Sequence, residues 1–192
     1  MKRLIPYSFI IVLFLFSCKI FSQFDDAKEF VSCYFTINNS RVIELGGYDF
    51  TEVENISDIG LTEMFGLGQK MIAGEMDAIA SVSISVTNKG KHTAAINGLY
   101  WQLFIKDEQY GNGEMLNHIE VLPGETVNFT VNTNFDISKL LKSEDLDGIF
   151  DLISDMENQE KLKRLDVKIK VKPLYKSGGT LKEYPSFITI KP

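Results

Sequence analysis

The chain has 192 residues, a formal net charge of −6 and a hydrophobic content of 44%. That is enough apolar material for one domain with a sizeable core, and its acidic balance repels phosphate backbones, which argues against nucleic acid as a partner. Only two cysteines are present, Cys18 and Cys33; once Cys18 is cut away or acylated no intramolecular disulfide can form, so stability rests on apolar burial.

Met1, Lys2 and Arg3 make a basic start, and Leu4 to Phe16 is an almost unbroken apolar run too short to span a bilayer. This is the pattern of a secretory signal over residues 1–22. Two cleavage sites compete. Leu15, Phe16, Ser17 and Cys18 resemble a bacterial lipobox, which would make 1–17 a lipoprotein signal and Cys18 the lipidated residue. Ile20, Phe21 and Ser22 before Gln23 make an ordinary signal-peptidase site. The lipobox is preferred because it lies where the apolar run stops. Removing Lys2, Arg3 and Lys19 leaves net −9 from Gln23 onward, so membrane association is expected only through an N-terminal lipid. The expected location is the periplasm or outer membrane as a lipoprotein, or alternatively the medium as a secreted protein.

In the next region, 23–77, Asp25 to Glu29 read as a polar tether or helix start. Phe30 to Ile37 are rich in aromatic and β-branched residues and read as a strand, Asn38, Asn39 and Ser40 as a turn, and Val42 to Leu45 as a second strand ended by Gly46 and Gly47. Between Gly60 and Gly74 four glycines interrupt Leu61, Met64, Phe65, Leu67, Met71 and Ile72. Each glycine costs a helix about 1 kcal/mol, so the expectation is a packed loop, or in a sharper reading a flexible binding lip. Met64, Phe65, Leu67, Met71 and Ile72 are its candidate contact surface. Gly66 to Lys70 superficially suggests a phosphate loop but lacks the Gly-Lys-Ser/Thr ending.

Region 78–192 is clearer. Ala80, Val82, Ile84 and Val86 alternate with serines, the period-2 mark of a half-buried strand. Thr87 to Gly90 turn the chain. Leu99, Trp101, Leu103 and Ile105 form the next apolar face, with Tyr100, Gln102 and Phe104 opposite. Asp107 to Gly113 reads as a polar connection, Met115 to Leu122 as extended, and Pro123, Gly124 and Glu125 as a turn. Val127, Phe129 and Val131 mark another strand. Ile137, Leu140 and Leu141 after Asp136, then Leu146, Ile149, Phe150 and Ile153, have helical spacing; Leu162 and Leu165 extend it. Val167, Ile169 and Val171 alternate with Lys168, Lys170 and Lys172 in a strand that Pro173 ends. Ser177 to Gly179 turn, and Phe187 to Ile190 make the last strand.

Catalytic and metal templates fail on particular residues. No G-x-S-x-G elbow is present. His92 and His118 lack cysteine or histidine neighbours at ligand spacing. Ser143 to Gly148 suggests a calcium loop but has serine where the first ligand and the twelfth, Ser154, belong. The lysine row reads as a solvated strand face that discourages edge pairing, Trp101 as core, and Asp107 with Glu108 as carboxylates on opposite faces. The expectation is therefore a non-enzymatic protein with no catalytic residue, metal or cofactor.

Val82 to Pro173 resembles the late embryogenesis abundant type 2 family, also called the water-stress and hypersensitive-response (WHy) domain. Asn88 ends a strand where the family has its first asparagine; Gly98, Leu99 and Tyr100 match the next element, Gly113 the loop glycine, and Pro123 and Gly124 the following turn. Lys89 replaces the family's proline and Gly90 its second asparagine. The resemblance implies a mostly-β, immunoglobulin- or fibronectin III-like antiparallel sandwich of about seven strands with a helical insertion before the last hairpin. It also implies a stress-protective role in the cell envelope without catalysis. The alternative is an accessory module of an envelope complex that binds a protein or a small apolar ligand.

Overall fold

A computed structural model describes residues 23–53, 58–137, 159–164 and 166–192. The signal and Cys18, the helical pattern from Leu140 to Ile153, the Ser143–Ser154 loop and Leu165 lie outside the described residues. Among those described, helix α1 covers residues 23–32. It is followed by β1 (Tyr34–Leu45), β2 (Tyr48–Asp49), α2 (Leu61–Ala73), β3 (Asp77–Thr87), β4 (Ala94–Ile96) and β5 (Gly98–Ile105). Then come β6 (Glu108–Met115), β7 (Ile119–Val121), β8 (Thr126–Asp136), α3 (Gln159–Arg164), β9 (Val167–Ser177), β10 (Thr180–Glu183) and β11 (Ile188–Ile190).

The architecture is the expected mostly-β antiparallel sandwich, with eleven described strands where about seven were expected. One sheet has the order β2-β1-β3-β8; the other runs β10-β9-β5-β6, with β11 also paired to β9, and β4 pairs β7 in a small ribbon. Ala80, Val82, Ile84 and Val86 of β3 face Leu99, Trp101, Leu103 and Ile105 of β5 and Val167, Ile169 and Val171 of β9 in one buried cluster. Each large aliphatic chain so buried stabilises the fold by about 1.5–3 kcal/mol.

Several local expectations are corrected. Phe30 belongs to α1, where Ala27 and Phe30 are both fully buried at i, i+3 spacing. Asn38 to Ser40 do not turn: β1 runs through them, and its pairing with β3 skips one residue at Asn38 and one at Ile43. Those two bulges space the buried positions as Ile37, Ser40, Val42 and Leu45, which hides the period-2 signal. The connection expected at Asp107 to Gly113 is mostly strand β6, turned from β5 at Lys106 and Asp107, both with positive φ. Its inward side carries Gly111 and Gly113 because there is no room for more. A Cβ at Gly111 would lie 2.4 Å from Thr133 Oγ1, and one at Gly113 would lie 2.3 Å from Trp101 Cζ2.

Pro173 does not end β9. That strand pairs β11 through Val171 and β10 from Leu174 along one edge, so Pro173 falls at the junction. Its carbonyl accepts from Tyr184 N on that edge, and the missing N–H points the same way, sparing the ladder with β5. Being paired on both sides, β9 is no edge strand, so the lysine row does not serve as edge protection.

The segment expected as a glycine-rich loop is the thirteen-residue helix α2. Tertiary packing outweighs its glycines. Leu67 is buried, Met64 and Met71 pack against the core, and the Lys70 ammonium donates to the Gly46 carbonyl. Gly74, at φ 72°, closes the helix in the left-handed conformation, donating to Met71 O while Glu75 N reaches Lys70 O.

Candidate functional site

Of the residues singled out by the family resemblance, Asn88 and Gly124 meet at one end of the sandwich. Asn88 is buried. Its Nδ2 donates to His92 O at 2.8 Å and Val121 O at 2.9 Å, and its Oδ1 accepts from Gly90 N at 2.8 Å. Its backbone bonds Glu125 O and Gly124 N. Asn88 thus pins the β3–β4 loop to the β7–β8 turn, where Gly124 takes φ 81° after Pro123. Gly98, at φ 149°, has Met115 O 2.6 Å from where a Cβ would sit, and Leu99 is fully buried. Asn88, Gly98 and Leu99 are buried framework positions, whereas Tyr100, Pro123 and Gly124 reach solvent.

The same end carries the helical residues 23–32. Asp25, Asp26, Lys28 and Glu29 line an open depression with His92, and His118 Nε2 lies 3.4 Å from Glu120. Burial, then the Asp25 and Glu120 charges, raises the Asp26 carboxyl. Cys33 donates its thiol to Glu29 O, and burial followed by the Glu29 charge pushes its pKa to about 11. Among the described residues, no three His, Cys, Asp or Glu side chains are grouped to hold a metal ion, and no helix is long and apolar enough to cross a membrane.

Two surfaces remain, and the first is on α2. The five candidate contact residues do not share one face. Leu67 is 1% exposed and Met64 and Met71 hold the helix to the core, whereas Phe65 is 73% and Ile72 90% exposed. Leu61, 86% exposed, joins the latter two. At about 100° per residue, positions 61, 65 and 72 fall within roughly 40° of one another, which puts the three apolar side chains on one side of the helix. Beside them Tyr48, Thr62, Gly66 and Gln69 line a shallow depression of about 530 Å³. The Tyr48 hydroxyl lies so close to Gly66 that no Cβ would fit there.

The second surface, the outer face of the five-stranded sheet, was not anticipated as a site. Strand register sets Glu114, Tyr100 and Lys172 in one row and Asn112, Gln102 and Lys170 in the next. Phe187, just before β11, continues the first row. A groove of about 420 Å³ runs over this face. The lysines are engaged. Lys168 pairs with Asp107 at 2.8 Å and Asp166 at 2.7 Å, and Lys172 with Glu183 at 2.5 Å. Lys170 lies 4.3 Å from the Phe104 ring centre and Lys172 lies 5.2 Å from that of Phe187. The hydrogen bond from Lys168 lowers the Asp107 carboxyl. The opposite sheet presents a flatter polar face on which Asn38, Ser85 and Asn128 are hydrogen-bonded across three strands.

No protein-family model and no curated protein matches the chain. Among solved structures, a protein described as late embryogenesis abundant is similar at 13% identity, over 93% of this chain and 82% of that one, with TM-score 0.35. A protein described as ApaA from Bordetella pertussis is similar at 11% identity, over 83% and 94%, with TM-score 0.36. A glycosyl hydrolase family 2 member from Bacteroides cellulosilyticus is similar at 13% identity, over 60% of this chain but only 13% of its own, with TM-score 0.26. None of these supplies an enzymatic activity for this chain.

Proposed function

We propose that the protein is an exported, N-terminally anchored envelope module of the late embryogenesis abundant type 2 kind that works by binding, and that its partner is a protein with an apolar groove that receives α2. The carrying observation is the stripe of Leu61, Phe65 and Ile72, exposed on a helix whose other side is fixed to the core. Three such side chains present roughly 400 Å², the size of a functional patch on a monomer. Two copies meeting stripe to stripe would bury about 800 Å², short of the 1,200 Å² of a stable interface, and the acidic chains would repel. A groove that wraps the helix gains contact on both flanks.

Position disfavours lipid as the occupant. β1 follows the helical residues 23–32 at the Thr87 end of β3, while α2 leads into the Asp77 end. Eleven strand residues place these ends about 33 Å apart, so a chain anchored through Cys18 holds the stripe away from its own membrane. The test compares the full-length chain with its Leu61→Asp/Phe65→Asp variant. A complex isolated from the native envelope, re-formed from purified components and weakened at least about tenfold by the variant supports the reading. Self-association of the wild type alone, or binding to vesicles through α2, refutes it.

A further inference from the structure

We propose that the outer face of the five-stranded sheet is a binding site for a neutral glycan chain. Tyr100 and Phe187, 37% and 44% exposed, stand in one row with Lys172 between them. Two strand spacings separate these rings by about 10 Å, enough for each to meet a different sugar. Ring faces accept the C–H side of a pyranose, the contact by which aromatic groups bury flat apolar surface while leaving polar edges wet. Between β5 and β6 the Gln102 and Asn112 amides lie opposite each other. Each amide both donates and accepts, which matches a hydroxyl that does the same.

Charge decides the ligand class. A row of lysines on a sheet invites phosphate or sulfate, yet Lys168 and Lys172 are already paired with carboxylates and Lys170 lies over Phe104. An anion would have to displace those partners and would also meet Glu114 and Glu183 in the same groove. A peptide added as a strand needs a free backbone edge, but β5 and β9 are paired on both sides, so this face offers side chains only. A small apolar ligand would leave the Lys172–Glu183 pair and both amides without water or partners. An uncharged polyhydroxyl chain conflicts with none of these groups. This surface is separate from α2, and the proposal stands independently of the protein partner.

The test is binding of the purified full-length chain to an array of neutral and acidic glycans, followed by calorimetric titration with the best neutral oligosaccharide. Binding to at least one neutral glycan is expected, with about tenfold or greater loss for Tyr100→Ala and for Phe187→Ala. Tyr100→Phe keeps the ring and should keep most of the affinity, which separates recognition from folding. Lys172→Met should change affinity little. The proposal is overturned if no neutral glycan binds, if only acidic glycans bind, or if a Tyr100→Ala/Phe187→Ala double variant with an unchanged unfolding midpoint binds as well as the wild type.

Discussion

Replacing Asn88 by alanine removes three side-chain hydrogen bonds from a residue that is 1% exposed. A net contribution near 1 kcal/mol each gives a loss of about 3 kcal/mol, and polar groups left unmet in the buried knot push it upward. Against a total stability of about 5–15 kcal/mol that is a large fraction. In urea, with a slope of about 2 kcal/mol/M, the midpoint should fall by about 1.5 M at unchanged slope. Asn88→Asp should cost at least as much, because it keeps the acceptor for Gly90 N but turns a carboxylate toward the His92 and Val121 carbonyls. The half-buried Ser85, also bonded to two asparagines, is the control: Ser85→Ala should cost about 0.5 kcal/mol or less. A loss below about 1 kcal/mol for Asn88→Ala would refute the idea that this side chain ties the two loops together.

Gly113→Ala places a Cβ 2.3 Å from the Trp101 ring and should destabilise by about 1–3 kcal/mol, with a shift in the emission of the single tryptophan; unchanged emission and stability would disprove the close contact. Thr133 Oγ1 is buried without a hydrogen-bond partner, so Thr133→Val should leave denaturant stability equal or raise it by about 1 kcal/mol, and a loss larger than that would point to a partner for the hydroxyl. Cys33 keeps its proton to about 11 rather than 9.0, so at pH 8 its thiolate fraction, and with it alkylation by iodoacetamide, should be about a hundredfold lower than for a free thiol. By linkage the folded state holds this proton longer than the unfolded one, so Cys33 lowers stability as pH rises from 9.0 toward 11; alkylation at the rate of a free thiol contradicts both statements.

Much of the sandwich was legible because β3, β5, β8 and the first half of β9 each bury every second residue without interruption. Legibility failed where geometry breaks the period. Two bulges rephase β1, glycines on β6 make room for Trp101 and Thr133, and Pro173 sits where β9 changes partners. All four residues of β10 are exposed, so no apolar alternation announces it. Helix α2 was misread because glycine counts weigh intrinsic propensity, whereas burial of Leu67 and the seat on Gly46 decide the outcome. Its apolar residues were grouped as one candidate contact surface, but the sequence does not say that Leu67 faces in and Leu61 out until the helix is known. The aromatic groove was illegible for another reason. Tyr100, Asn112, Lys172 and Phe187 come from separate segments that only strand register brings together.

Binding through α2 is tested most directly by a photo-crosslinking scan of the full-length chain in its native envelope, one position at a time. Probes at Leu61, Phe65 and Ile72 should crosslink to one protein of constant mass, while probes at Glu63 and Lys70 on the same helix should not. Equal crosslinking around the helix, crosslinks to lipid, or crosslinks only to a second copy of the chain would contradict a partner that receives this stripe.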